Sequence, residues 1–501
     1  MSYDTLDKIL LEYLKMGGNI EMNEKIVRNM GTNFYTQLYE LLKAEIVTKK
    51  MKPDSKFYSV RQAVIKFDVN INTVLRVYRM LEENGYIYSI KGKGCFVREH
   101  SDFTISNKVI PIMESFRYGQ QPELPEINFS NGTPSKDFFP VEIYQELSEK
   151  AIKNWGKDLF GYQNVQGMKS LREVLADYLE KDDIFVKSED IIITSGTQQS
   201  LDIVVKSFGC HPIKTAVISN PTYPNAINFL ENICNIKTMD VENDGWNMLE
   251  FEEMVKKEKI HMVYVMANFQ NPTGIVWSDV KKKRLLQLAE EYDFYIIEDD
   301  CFSEFYYDEN KVYSLKSMDK AGEERVIYVK TYSKMFMPGI GLAFMIPPKK
   351  FMEKFVLMKY GLDTNTSGLN QKVLEYFISE GHLENHLKEM KEILSMKFQR
   401  MLSLLLKIPH IKIINIPRGG FFIWIELANY IDGEKFYYKC KLRGLSILPG
   451  SIFYYNKRDS CKIRISFLST TMEDIEIGIK IMENVLINCE GAKRITERKL
   501  K

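Results

Sequence analysis

Thr331-Tyr332-Ser333-Lys334 sets an amine beside hydroxyls directly after an apolar run, Val326 to Lys330, that predicts a strand. Asp299 closes another such run, Tyr295 to Glu298, and Asn271 opens Asn271-Pro272-Thr273-Gly274 just beyond a third. Ser195-Gly196-Thr197-Gln198 lies between a strand pattern and a helical stretch, where backbone N–H groups at a helix start can hold a phosphate. A lysine amine attacks carbonyls once it is uncharged, a carboxylate can keep a heteroaromatic nitrogen protonated, and Arg464 in Ile463-Arg464-Ile465-Ser466 offers a bidentate fork to a carboxylate. Taken singly, a strand-end lysine is usually a solvated charge, Asn-Pro-Thr-Gly a good turn sequence and a lone arginine half of a surface ion pair. Their order along the chain is what carries the information.

The elements that must position these residues follow from hydrophobic patterning. Apolar runs at 190–194, 215–219, 261–266, 294–298, 326–330 and 342–346 alternate with helical stretches, which predicts an α/β fold with a mainly parallel sheet covered by helices. A long helical stretch from about Met352 to Leu406, then Gly420 to Leu427 and Ile463 to Phe467, predicts a smaller C-terminal α+β unit. Open sheets of this kind bind ligands beyond the carboxyl ends of their strands. Lys334, Asp299, Asn271 and Ser195 to Gln198 all fall there.

Together they make the constellation that pyridoxal phosphate requires. The order and spacing resemble fold-type I aminotransferases, and specifically the MocR/GabR subfamily. That resemblance implies Lys334 as the Schiff-base lysine, Asp299 as partner of the pyridine nitrogen, Asn271 on the ring hydroxyl and Tyr223 of Pro221-Thr222-Tyr223-Pro224 stacked on the ring. It also implies Gly196, Thr197, Thr331 and Ser333 around the phosphate, Tyr162 of the partner subunit beside them, Arg464 on a substrate carboxylate, and a homodimer of head-to-tail arrangement. Two positions depart from the pattern. Gly341 stands where the subfamily commonly has a phosphate-pairing arginine, and Cys301 and Phe302 stand where a tyrosine near the ring hydroxyl is usual. Losing one charge-assisted contact costs roughly 1.5 to 3 kcal/mol. Either the cofactor is held more weakly than the subfamily norm, or Lys330, at a position often taken by glycine, supplies the missing cation.

The chain's formal net charge is only +1, but residues 38 to 98 carry twelve basic against six acidic residues. Such a concentration suits a nucleic-acid partner. Helical patterns at Phe34 to Thr48, Ser59 to Phe67 and Asn72 to Asn84 precede two extended runs joined by Lys91-Gly92-Lys93-Gly94, which predicts a winged helix-turn-helix. Ser59-Val60-Arg61, Asn72 to Tyr78 and Lys91 to Val97 resemble the GntR family of regulators. The resemblance implies Arg61, Asn72, Thr73 and Arg76 as groove and phosphate contacts on double-stranded DNA, with Lys91 and Lys93 on the wing. That family often has an arginine where this chain has Ile71, so its operator preference does not transfer.

The expected organisation is an extension over 1–30, a head over 31–98, a Pro- and Gly-bearing linker over 99–126 and a large domain over 127–495, whose C-terminal part begins near 352. Seven scattered cysteines without a C-x-x-C pair argue against a disulfide framework or a zinc site, no metal is expected, and His382 and His386 are expected at the surface. No apolar run is long enough to span a bilayer and no signal-peptide pattern opens the chain, so a cytoplasmic protein is expected. The leading expectation is a regulator that senses an amine, an amino acid or the cofactor itself. The alternatives are a working aminotransferase with an accessory DNA-binding head, and a cofactor-free dimerisation scaffold.

Overall fold

The computed structural model describes most of residues 51–97 and, with short gaps, 127–499, together with Tyr35, Leu38, Tyr39, Leu42 and Ile46. The expected extension over 1–30, the linker over 99–126 and the wing residues Lys91 and Lys93 lie outside the described residues. The chain divides into two compact units, Met1–Glu114 and Ser115–Lys501.

In the first unit, the helices Val60–Phe67 and Ile71–Glu83 are followed by an antiparallel hairpin of β1 (Ile87–Ile90) and β2 (Gly94–Val97). The shorter helix starts with a reciprocal cap. Ser59 Oγ accepts from the Gln62 N–H at 3.3 Å, and Gln62 Oε1 accepts from the Ser59 N–H at 2.8 Å. The longer helix begins one residue before the expected Asn72, because Asn70 is the capping side chain: its Oδ1 accepts from the Asn72 N–H at 2.8 Å. Leu38, Leu42, Ala63, Phe67, Val74, Val77, Leu81, Ile87 and Val97 bury one face of each element into a single small core.

The second unit is built on an eight-stranded sheet: β3 (Ile192–Thr194), β4 (Lys214–Asn220), β5 (Cys234–Glu242), β6 (Gly245–Trp246), β7 (Met262–Val265), β8 (Tyr295–Asp299), β9 (Val326–Thr331) and β10 (Ala343–Ile346). Their spatial order is β3-β10-β9-β8-β7-β4-β5-β6. The run β9-β8-β7-β4-β5 is parallel, whereas β10 and the edge strand β6 are antiparallel to their neighbours. The parallel strands β7, β8 and β9 are buried along their whole length, as sheets covered on both faces require.

The expected strands are found within a residue or two, and two more join them. β5 was hidden by its alternating Cys-Asn-Ile-Lys-Thr pattern, which reflects a position near the sheet edge with one face partly wet. The long C-terminal helical stretch is three helices, Met352–Leu362, Gly368–Ser379 and His382–Leu405, the last two separated at Gly381, whose φ of +79° suits glycine. Beyond them, β11 (Ile411–Asn415), β12 (Phe422–Leu427), β13 (Leu448–Pro449) and β14 (Lys462–Ser466) form a four-stranded sheet in the order β11-β12-β14-β13.

The surface expectation fails for His386. It is buried, with its ring edge-on to Phe377 at 6.0 Å, and burial lowers its pKa. No group of three or more His, Cys, Asp or Glu residues able to hold a metal ion occurs among the described residues. No helix among them is long and apolar enough to cross a membrane.

Candidate functional site

Five strand ends converge on one cleft of about 700 Å³. β3 leads into Ser195-Gly196-Thr197 and the helix Thr197–Phe208, β4 into Tyr223, β7 into Met266 and Asn271, β8 ends at Asp299, and β9 ends at Thr331 before Ser333 and Lys334. Phe422 of β12, Leu448 of β13 and Arg464 of β14 close it from the C-terminal sheet. The segment Ser130 to Thr133 completes the wall.

Asp299 is 1% exposed. Its Oδ2 accepts from Tyr264 Oη and its Oδ1 from Cys301 Sγ, each at 2.8 Å. Burial raises this carboxyl from 3.8 to about 6, against the opposing pull of those two hydrogen bonds. Lys334 faces it across the cleft, and each feels the other's charge. Burial lowers the lysine, and the nearby Arg464 guanidinium lowers it further, so more of the amine is neutral than in an exposed lysine.

Arg464 is 2% exposed. Its Nη1 donates to Asn271 Oδ1 at 2.9 Å and its Nη2 to the Ser130 carbonyl, while Nε is buried without a partner among the described residues. A buried cation with an unspent donor is costly unless an anion answers it. A substrate carboxylate would do so.

These residues fit pyridoxal phosphate at both ends of the cleft. At Gly196, with φ +149°, no atom stands within 4 Å of where a Cβ would be, and the N–H groups of the following helix turn lack in-helix acceptors. Thr331 Oγ1 donates to Ser333 Oγ at 3.0 Å, placing two hydroxyls beside that cradle. Tyr223 lies partly buried, its Oη accepting from Asn225 Nδ2 at 2.9 Å. Tyr162 is not in the cleft of its own chain. It is 87% exposed, close to the exposed Phe160 and Trp155.

The cation expected from Lys330 is not there. Side chains alternate across a strand, so Lys330 projects from the face opposite Thr331. It is 1% exposed and pairs with Glu304 at 2.6 Å and Asp300 at 3.3 Å. Gly341 does lie at the phosphate end, where its Cβ position would be 3.6 Å from the Ser195 carbonyl. Its backbone is left-handed, with φ +58°, which favours glycine over arginine. Sequence reasoning also missed Tyr264 and the Ser130 to Thr133 segment. The Asn131-Gly132 turn signal was the available clue to the latter.

In the head, Arg61, Asn72 and Arg76 are exposed and Thr73 is half-buried. Asn72 and Arg76 share one face of the helix Ile71–Glu83 with the exposed Ile71 and Leu75. The Arg76 guanidinium sits 3.7 Å from the centroid of the Tyr35 ring.

A mainly parallel sheet whose strand ends gather a lysine and an aspartate, faced by an arginine from a smaller C-terminal sheet, defines a fold-type I, aminotransferase-like domain. The chain belongs to the aminotransferase class I and II family over residues 125–481, and residues 34–97 match the bacterial regulatory proteins of the gntR family. This two-part architecture is of MocR/GabR type. The chain is 28% identical over 466 residues to the uncharacterized HTH-type transcriptional regulator YdfD of Bacillus subtilis, covering 89% of this chain and 94% of that one. It is 27% identical over 440 residues to the HTH-type transcriptional regulator NorG of Staphylococcus aureus, covering 84% and 97%. Among solved structures, LysN, the alpha-aminoadipate aminotransferase of Thermus thermophilus complexed with N-(5'-phosphopyridoxyl)-L-leucine, superimposes with a TM-score of 0.69 at 26% identity, covering 77% of this chain and 95% of that one.

Proposed function

We propose that this chain is a cytoplasmic, homodimeric, DNA-binding transcription regulator whose large domain holds pyridoxal 5'-phosphate and senses a small amine or amino acid. The observation that carries the reading is the union, in one polypeptide, of a winged helix with an exposed basic helix face and a cleft that gathers Lys334, Asp299, Asn271 and Arg464. The regulator YdfD, matched over nearly its whole length, supports the same union.

Bound in the cleft, the cofactor would supply a carbonyl for amines and a ring that withdraws electrons. Lys334 would anchor it and carry protons at Nζ. Asp299, held by Tyr264 and Cys301, would keep the ring nitrogen protonated, with Asn271 on the ring hydroxyl and Tyr223 against the ring face. Gly196, Thr197, Thr331 and Ser333 would hold the phosphate, joined by Tyr162 of the partner subunit. Arg464 would fix the carboxylate of an amino acid. Regulation then requires the ligand to bind two states of the protein unequally, which is a coupling free energy between cleft and head.

Two measurements test this. A gel shift on the DNA upstream of the gene should show a specific complex at physiological salt, and Arg76→Ala should weaken it while reducing the salt slope by about one. Titration with the cofactor should add a visible absorbance band that Lys334→Ala abolishes. Absence of the specific complex removes the regulatory reading, and absence of the band removes the cofactor. The intact lysine, aspartate and arginine also favour a slower second activity, transfer of an amino group to a keto acid, and steady turnover with such a pair would establish it.

A further inference from the structure

We propose that the helix Ile71–Glu83 reads thymine, with Ile71 and Leu75 packing on the methyl group that this base presents in the major groove of DNA. The inference rests on the DNA-binding reading and names what the head recognises.

The helix has two unlike faces. Val74, Val77, Tyr78 and Leu81 pack into the core of the head. Ile71, Asn72, Leu75, Arg76 and Arg79 lie on the other face and are exposed. Ile71 is 52% exposed and Leu75 46%, and the two stand one turn apart at the start of the helix. A single exposed aliphatic residue carries no message. Here a pair of them is set in a surface of one charge. The first turn holds no acidic residue, Arg61 is exposed on the preceding helix, and Glu82 is tied to the hairpin, where its Oε1 accepts from the Ser89 N–H at 3.0 Å. Such a face is matched by a row of phosphates on either side of an apolar spot, which a DNA groove offers.

Residues at the start of a recognition helix reach the base edges. Guanine presents two acceptors there, cytosine an amine, adenine an acceptor and an amine, and thymine an acceptor beside its methyl group. An aliphatic side chain pressed on guanine or cytosine strips water from polar atoms without answering them, which costs free energy. On thymine the same side chain buries apolar surface at both partners. Asn72, next to Ile71 on the same face, has the amide that pairs bidentately with adenine. The exposed face is therefore built for A·T pairs.

The full chain is used to enrich duplexes from a random pool, and the enriched duplex is then remade with deoxyuridine in place of thymidine. Uracil keeps every hydrogen-bonding group of thymine and lacks only the methyl. The exchange should weaken binding of the native protein roughly fourfold for each thymine read. The salt slope should not change, because no phosphate contact is lost. Ile71→Ser and Leu75→Gln should each shrink the difference between the two duplexes, and the double variant should remove it; the single variants decide the matter if the double variant does not fold. The proposal is overturned if the enriched sequence holds no thymine, if the native protein binds both duplexes equally, or if the folded variants separate them as well as the native chain does. A pool that yields no enriched sequence removes the DNA-binding reading itself, and this inference with it.

Discussion

Replacing Asp299 with asparagine should stabilise the cofactor-free protein at alkaline pH while removing its hold on the cofactor. The buried carboxyl titrates near 6 rather than at its ordinary 3.8. That difference corresponds to about 3 kcal/mol against the ionised form at neutral pH. The sign is that of a raised acid. Relative to a neutral side chain, the penalty is absent below the unfolded value of 3.8, grows as pH rises through about 6, and is complete above it. Asparagine keeps the shape and can still accept the Tyr264 hydrogen bond at Oδ1, but its amide answers Cys301 less well, so a gain of about 1 to 3 kcal/mol is expected at pH 8 and one smaller by about 1.4 kcal/mol at pH 5, where only about half of the penalty has built up. Thermal unfolding of both cofactor-free proteins at the two pH values measures this, with a rise of a few degrees at pH 8 expected. Adding cofactor should reverse the order, because only the native chain gains binding energy. An equal difference at pH 5 and pH 8, or a native protein more stable than the variant at pH 8 without cofactor, would refute the reasoning.

Arg464→Met should weaken carboxylate-bearing ligands by roughly 10- to 100-fold, the worth of a charge-assisted pair, and leave the cofactor's absorbance in place. Gly341→Arg should tighten cofactor binding by roughly 10- to 100-fold in a spectroscopic titration, the worth of a new phosphate contact of roughly 1.5 to 3 kcal/mol, while the left-handed backbone costs the folded protein about 1 to 2 kcal/mol with or without cofactor. Lys330→Met should cost about 3 to 5 kcal/mol in chemical denaturation by stranding Asp300 and Glu304, with cofactor affinity in the remaining folded protein unchanged.

The cleft was largely legible because its residues sit where patterning changes, at strand ends followed by Gly, Pro or a hydroxyl. Lys334 and Asn271 were placed for that reason and Asp299 by closing an apolar run, whereas Arg464 stands in the middle of β14 and its role came from the family resemblance. What was hidden depends on contacts that local sequence does not contain. Ser130 accepts from Arg464 across 334 positions of chain, and Tyr264 looks like one more core residue of β7 until Asp299 is placed beside it. Lys330 was misread because a lysine in an apolar strand takes its meaning from its partners, here Asp300 and Glu304 on the far face. His386 was misread because both it and the half-buried His382, one turn away, pack against Phe377 rather than facing solvent. In the head, helices and hairpin followed from amphipathic spacing and turn residues, and the helix start falls one residue before Asn72 because Asn70 supplies the capping oxygen.

Two adjoining strands serve as a common partition between the cofactor cleft and the buried cluster of Lys330, Asp300 and Glu304, and this limits how the chain can change. Inserting or deleting one residue within β8 would exchange the sides to which Asp299 and Asp300 project, and within β9 those of Lys330 and Thr331. Both sides would fail together. A change of length is therefore tolerated only in the connections after the strands, and a change on one side must come by exchange of side chains, each tolerated only if its neighbour on the reverse side keeps its place.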